Sequence, residues 1–106
     1  MKLKMKQIEN GIIIALQGCM PGGTTYQKLI EMFGEPNAKA DGFKTDAEWC
    51  GYIDDAPFKI YNYKTGKAYL KEQGKAVKDL IGSDWHIGGQ NSDVVKLIRR
   101  LLVETL

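Results

Sequence analysis

The chain's single histidine lies in a segment whose residue types suggest a binding site for a small anion. Residues 83–93 read SDWHIGGQNSD, so His86 is followed by a glycine pair and then by Asn91 or Ser92, either of which can cap a helix. We interpret the segment as a short strand, a two-glycine turn and the start of the last helix. Backbone N–H groups at a helix start can hold a phosphate or carboxylate. The candidate ligand-binding residues of this segment are Trp85, His86, Gly88, Gly89 and Ser92.

A second glycine-containing loop precedes the first predicted helix. Gly22, Gly23 and Thr24 leave backbone N–H groups free of bulky side chains, which is again a geometry that can bind an anion. Lys64 and Lys67 are the cations that would complete such a site. Neither loop matches a P-loop or a dinucleotide fingerprint. Glycines and small polar residues also serve simply to begin a helix, so helix-entry geometry is the alternative for both loops.

Acidic residues suggest a different chemistry. Asp46 and Glu48 alternate on one predicted strand, so their carboxylates can be neighbours that perturb each other's ionisation. A general base at His86 would need an oriented nucleophile, which the sequence does not identify. Cys19 and Cys50 lack the further ligands that zinc requires. We therefore expect no catalytic residues, no metal and no cofactor, with a small hydrolase using these acids or the histidine as an alternative.

Aromatic residues alternate with lysine on a later predicted strand. Tyr61 and Tyr63 share a face with Lys59, while Phe58 and Ile60 point the other way. An aromatic face with lysine can stack bases or anchor a protein partner, and it can equally be covered by the last helix. The candidate partner-binding residues are Tyr61, Tyr63, Arg99 and Arg100.

Length and composition indicate one globular domain over residues 1–106. Of the 106 residues, 43% are hydrophobic and 26% are charged, which excludes a disordered chain. The net charge of +2 is too small to argue for nucleic acid by itself. The apolar run 12–16 is shorter than the roughly 7 residues that a signal peptide needs, so we expect neither export nor a membrane span.

Two strands are predicted at the start of the chain. Lysines alternate with Leu3 and Met5, which is the period of a half-buried strand, and residues 12–16 form a second apolar run. Asn10 and Gly11 between the two runs favour a type I′ turn, because both central residues of that turn need positive φ. The sequence therefore predicts an N-terminal β-hairpin.

Two amphipathic helices are predicted later in the chain. The first is capped by Thr24 or Thr25 and ends at Gly34, and the second begins at about Ser92. Apolar residues recur at helical spacing in both and define the faces that should meet the core. These residues are Tyr26, Leu29, Ile30 and Phe33 in the first helix and Val94, Leu97, Ile98, Leu101 and Leu102 in the second.

The remaining strands complete an α+β domain. Residues 44–53 and 58–63 are predicted strands whose short connection requires an antiparallel pair. Residues 64–79 contain glycines and no clear periodicity, so we expect a long mobile connection before the strand at Trp85. The predicted order is ββαβββα, a mostly antiparallel sheet with two helices packed on it.

Two resemblances to known proteins extend these predictions. Residues 22–36, GGTTYQKLIEMFGEP, locally resemble the helix of β-lactamase-inhibitor-like domains and of the outer-membrane-assembly lipoprotein E type, which place such a helix before an antiparallel sheet. A wider resemblance is to a group of small bacteriophage-encoded proteins of unassigned activity. Its elements are DGFKTDAEW at Asp41–Trp49, IYNYK at Ile60–Lys64 and WHIGG at Trp85–Gly89.

The wider resemblance implies a small protein of the host-cell cytoplasm. Such a protein would be a non-enzymatic binder that inhibits a host defence factor, either by blocking a protein or by sequestering a nucleotide-like ligand. A nucleic-acid-binding accessory protein that uses the lysines of 64–78 with Lys96, Arg99 and Arg100 is an alternative. Homo-oligomer formation through the last helix or an edge strand is compatible with each of these functions.

Overall fold

The computed structural model describes residues 1–40, 42 and 44–106, and it has an α+β fold. Five strands form one sheet in the order β1-β3-β4-β5-β2, and every neighbouring pair is antiparallel. The predicted fold class and the order of the main elements are confirmed. The strands are β1 (Leu3–Met5), β2 (Ala15–Cys19), β3 (Glu48–Ile53), β4 (Ala56–Asn62) and β5 (Trp85–Gly89), and the helices are α1 (Tyr26–Phe33), α2 (Lys67–Leu70) and α3 (Asp93–Glu104).

The N-terminal hairpin prediction is wrong. β1 pairs with β3 and β2 pairs with β5, so the first two strands lie at opposite edges of the sheet. β1 and β2 each add to one edge of the sheet formed by β3, β4 and β5. Pairing with this larger sheet is more stable than an isolated two-stranded hairpin, which is marginal in water. The turn with two positive φ values is at Asp54 (47°) and Asp55 (66°), between β3 and β4.

Residues 6–14, which we call the crossing segment, connect the two edges. Because β1 and β2 lie at opposite edges, the chain between them has to pass over one face of the sheet. Ile14 lies close above Gly88 of the inner strand β5, where a Cβ added to that glycine would come within 2.9 Å of Ile14 Cγ2. One face of the sheet therefore carries part of the chain's own N-terminal segment.

Helices α1 and α3 cover the opposite face and close the core. Trp49, Phe58 and Trp85 are fully buried there. The Trp49 and Trp85 rings lie edge to face at 5.6 Å between centroids, and Phe33 of α1 lies 5.4 Å from Phe58. Burying each large apolar side chain stabilises the fold by about 1.5–3 kcal/mol. Leu29, Val94 and Ile98 are also buried there, as their helical spacing predicted, and Met32 of α1 joins the core although it was not predicted to.

Gly88 and Gly89 belong to strand β5, so the predicted two-glycine turn is wrong. Gly88 pairs with Lys59 and Gly89 pairs with Phe58, while β2 pairs on the other side. A Cβ at Gly89 would come within 2.6 Å of Val94 Cγ1 on the first turn of α3. The two glycines therefore allow close approach from both faces, the crossing segment above one and α3 against the other.

The segment predicted as a long mobile connection, residues 64–79, instead forms α2 and two single 3-10 turns at Lys71–Gln73 and Val77–Asp79. Gly66 bridges to Lys75, which closes the segment on itself. Asp46 ties it to the sheet, since its Oδ2 accepts a hydrogen bond from the Ala68 N–H at 3.0 Å.

The part of the chain that the structure describes contains no helix long and apolar enough to cross a membrane. Asp41 and Phe43, which belong to the DGFKTDAEW element of the wider resemblance, lie outside the described residues.

Candidate functional site

The sheet face opposite the helices, which we call the open face, carries polar and aromatic side chains. Alternate residues of a strand point to opposite faces of the sheet. Tyr61 therefore lies on the open face, while its neighbours Ile60 and Asn62 are fully buried on the helix-covered face. Tyr61 pairs with Glu48 on one side and with His86 on the other. Cys19 of β2 pairs with His86, so the row continues to the edge of the sheet.

The crossing segment covers one part of this face. Cys50 Sγ lies 3.5 Å from the Lys6 carbonyl oxygen and 3.6 Å from Gln7 Oε1, to both of which it can donate. The Glu9 N–H donates to the Tyr52 hydroxyl at 3.0 Å. Burial raises the pKa of the Cys50 thiol, so it is the protonated form that lies under the segment and not a reactive thiolate. Both cysteines of the chain are free thiols.

The other part of the open face forms a cluster that we call the aromatic–basic patch, made of Tyr61, Tyr63, His86, Lys44 and Lys64. The His86 ring lies 5.5 Å from Tyr61 in an edge-to-face arrangement and 6.3 Å from Tyr63 in a stacked one. Tyr63 is 39% exposed, so part of its side chain is open to solvent. The three rings therefore adjoin one another. Tyr61 and His86 lie in strands, and Tyr63 follows directly after β4.

Two lysines lie against these rings. Lys64 Nζ is 5.3 Å from the Tyr63 centroid and 5.2 Å from that of Tyr69, and Lys44 Nζ is 5.8 Å from Tyr63. Lys64 has a φ of 60°, in the left-handed region that non-glycine residues seldom occupy. Its N–H donates to the Lys44 carbonyl at 2.8 Å, which holds the two lysines on adjacent backbone. The patch is therefore cationic as well as aromatic.

The protonation of the rings follows from partial burial. Desolvation lowers the pKa of His86, and Asp84 partly opposes this. Burial raises the pKa of Tyr61, and the charges of Glu48 and Cys19 add to the increase. At neutral pH the imidazole is therefore neutral and the phenol keeps its proton, so the positive charge of the patch comes from its lysines.

The acidic candidates are not brought together with His86. Asp46 is engaged structurally, because its Oδ1 accepts from Asn62 Nδ2 at 2.8 Å and its Oδ2 accepts from Ala68. Glu48 lies 3.8 Å from Lys59 Nζ on the open face. Within the described residues no three His, Cys, Asp or Glu side chains are grouped so that they could hold a metal ion.

The structure does not bring the predicted ligand-binding residues together in one place. His86 and Lys64 are in the patch, while Trp85 is fully buried and donates from Nε1 to the Leu80 carbonyl at 3.1 Å, so it cannot contact a ligand. Gly88 and Gly89 are strand residues with partners on both sides. The glycine loop predicted before α3 is therefore not formed, because both glycines lie in β5.

The other predicted glycine loop lies in an apolar cleft. Gly22, Gly23 and Thr24 line it together with Lys28 and the end of α3, in a volume of about 340 Å³, and none of the patch residues lines it. Thr24 is buried and its hydroxyl donates to the Pro21 carbonyl, while Thr25 caps α1 by accepting from the Lys28 N–H at 3.0 Å. The loop thus serves helix entry, the alternative that we had kept.

The remaining predicted site residues lie outside the patch. Lys67 is exposed on the first turn of α2, and Ser92 makes no capping bond, since Asn91 Oδ1 accepts from the Asp93 N–H instead. Arg99 Nη2 donates to the Cys19 carbonyl at 3.3 Å, at the β2 edge. Arg100 is exposed on α3. The arginines therefore do not share a face with Tyr61 and Tyr63.

Lys44 and Tyr69 are two contributors to this region that the sequence did not single out as site residues. Lys44 lies about twenty residues before Tyr63, and the hydrogen bond between the Lys64 N–H and the Lys44 carbonyl helps to hold it there. Tyr69 is on α2, in a segment with no periodic pattern. Comparisons with protein-family models, with curated proteins and with solved structures found no match for this chain.

Proposed function

We propose that this chain is a non-enzymatic binding protein whose aromatic–basic patch holds an anionic, ring-bearing ligand of the nucleotide kind. The observation that carries the proposal is the position of His86 beside Tyr61 and Tyr63. The ammonium groups of Lys44 and Lys64 lie against the ring of Tyr63. A planar base stacks on such rings, and the adjoining ammonium groups suit its phosphate.

The energies of these contacts are sufficient for specific binding. Stacking of one base on an aromatic side chain contributes about 1–3 kcal/mol, and a hydrogen bond between charged groups about 1.5–3 kcal/mol. Tyr61 and His86 are held by paired strands, so little ordering is needed when a ligand binds. Because the carboxylates of Asp46 and Glu48 already have partners in the structure, we expect the patch to hold a ligand and not to transform it.

The biological role that we propose follows the resemblance to bacteriophage-encoded proteins. The matched elements Ile60–Lys64 and Trp85–Gly89 contain four of the five patch residues. A phage protein that holds a nucleotide-like molecule in the host cytoplasm would inhibit a host defence factor by removing its ligand. Blocking a host protein through the same surface is the outcome to expect if no nucleotide binds.

Titration calorimetry with a panel of mononucleotides, dinucleotides and cyclic nucleotides tests this proposal. Tyr63→Ala and Lys64→Ala should each weaken binding by about tenfold or more, because each loses about 1.4 kcal/mol or more of contact. Lys6→Ala is the matched control, since Lys6 Nζ lies 5.0 Å from the Tyr52 ring in a similar pair outside the patch. Absence of binding across the panel, or an equal loss in the control, would overturn the proposal.

A single-stranded nucleic acid is the second candidate ligand. The lysine-containing segment 64–75 is anchored beside the patch by Asp46 and by the Gly66–Lys75 bridge, so several cations adjoin the rings. This candidate predicts tighter binding of oligonucleotides than of mononucleotides, with affinity that falls steeply as salt rises. Affinities that are equal for the two and insensitive to salt would exclude it.

A further inference from the structure

The two edges of the sheet are protected differently, which suggests an interaction surface separate from the patch. β1 is three residues long, and the exposed Lys2, Lys4 and Lys6 alternate along it. Lysines on an edge strand discourage pairing with another chain. β2 is five residues long and forms the other edge, where β5 is its only strand neighbour within the described residues.

None of the residues of β2 itself carries a charge. The sequence from Asn10 to Gln27 contains no charged residue. Ile13 is 81% exposed and Leu16 is 56% exposed, so large apolar side chains lie at and beside the open edge. Arg99 donates to the carbonyl of Cys19 and occupies only that end of the strand. An edge strand that is uncharged, apolar and accessible is a template for strand pairing.

We infer that β2 pairs with β2 of a second copy of this chain, so that two sheets join into one. Every strand pair in the sheet is antiparallel, and a two-fold axis makes two identical edge strands antiparallel. The proposal does not depend on the proposed ligand, because it concerns the edge of the sheet and not the patch.

A second copy fits this edge better than a charged peptide. An axis through Leu16, perpendicular to the sheet, brings the two Leu16 side chains together and leaves no charged side chain of either strand at the contact. Leu16 pairs with Gly88, whose missing side chain would point to the open face towards Ile14 and Tyr61. Such an axis keeps both open faces on the same side, so the two aromatic–basic patches would belong to one continuous surface.

Sedimentation velocity of the full chain across a range of concentrations tests the inference. The wild-type protein should approach twice the 11.9 kDa mass of one chain as its concentration rises. Leu16→Lys places two ammonium groups against each other and should raise the dissociation constant by at least about tenfold. Ile13→Lys should act in the same direction, and since Ile13 is exposed and lies outside the strand, it cannot act by unfolding the chain.

Val103→Lys is the matched control, because Val103 is an apolar residue of α3 that is 65% exposed beside the apolar cleft. It should leave the dissociation constant unchanged. A wild-type protein that stays monomeric at the highest concentrations would overturn the inference. A dimer that Val103→Lys dissociates and Leu16→Lys does not would also overturn it, and would place the interface at the cleft.

Discussion

Adjacent residues of the same strand differ in burial according to the face of the sheet on which their side chains lie. On β5, Trp85 and Ile87 are fully buried against the helices, while His86 between them is half-buried beside two tyrosines on the open face. The helix-covered face thus carries most of the apolar burial, and the open face carries His86 with Tyr61 and Tyr63. Because of this difference, side chains of the open face can be replaced with little loss in the free energy of unfolding. This tolerance allows a surface to acquire a binding function.

The largest test of this comparison replaces neighbouring residues on opposite faces. Trp85→Ala removes a fully buried ring that stacks at 6.0 Å on Tyr26 and donates to Leu80, so it should cost about 3–5 kcal/mol of unfolding free energy. His86→Ala should cost about 1 kcal/mol or less. Urea unfolding of both variants measures the two values. Similar losses at both positions would contradict the assignment of stability to one face.

A second test concerns a polar group on the buried face. Asn62 is fully buried, and its Oδ1 accepts from the N–H groups of Asp46 at 2.8 Å and Ala47 at 3.2 Å. Asn62→Ala leaves these donors without their acceptor and should destabilise the fold by about 2–3 kcal/mol. Asn10→Ala, at an exposed loop residue, should stay within about 0.5 kcal/mol of wild type in the same urea experiment.

A third test uses the two neighbouring glycines of β5. Gly89→Ala forces a Cβ to 2.6 Å from Val94 Cγ1, so α3 has to move, and a loss of about 1–3 kcal/mol is expected. Gly88→Ala would place its Cβ 2.9 Å from Ile14 Cγ2, and the crossing segment that carries Ile14 can move away. The loss at Gly88 should therefore be smaller and should be accompanied by faster amide exchange in residues 6–14. If Gly88→Ala lowers the free energy of unfolding more than Gly89→Ala does, the crossing segment is held more rigidly against the sheet than α3.

Alternation and helical spacing were sufficient to predict much of this fold. Ile60 and Tyr61 were assigned to opposite faces from period 2 alone, and Val94 and Ile98 to the core from period 3.6. These assignments succeeded because they depend on the side chains of one element against a nearby core. The same alternation placed Tyr61 and Tyr63 together, and so identified part of the candidate site.

Long-range pairing could not be predicted in this way. The Asn10-Gly11 pair favours a hairpin locally, but pairing of β1 with β3 and of β2 with β5 decides the sheet order. Gly88 and Gly89 have turn-forming chemistry, yet they are strand residues because Ile14 and Val94 pack closely over them. Lys44 is held at the patch by its contacts with Lys64 and Tyr63. In each case the deciding partner is distant in sequence, and no local pattern records it.

The smallest expected effect is the pH dependence that the open face adds to stability. Burial lowers the pKa of His86 below the ordinary 6.5, with Asp84 partly opposing and Tyr61, Tyr63 and Cys19 facing the ring. Just below pH 6.5 the unfolded chain therefore binds a proton that the folded chain does not, so the free energy of unfolding falls as the pH is lowered through this window. Urea midpoints of wild type and His86→Gln at about pH 8 and about pH 5.5 measure the effect, because other titrating groups are shared and cancel in the difference. The wild type should lose more stability on acidification than the variant. If His86→Gln loses as much as wild type or more, the imidazolium is not penalised in the folded state, and the ring is more open to solvent than its place between two tyrosines implies.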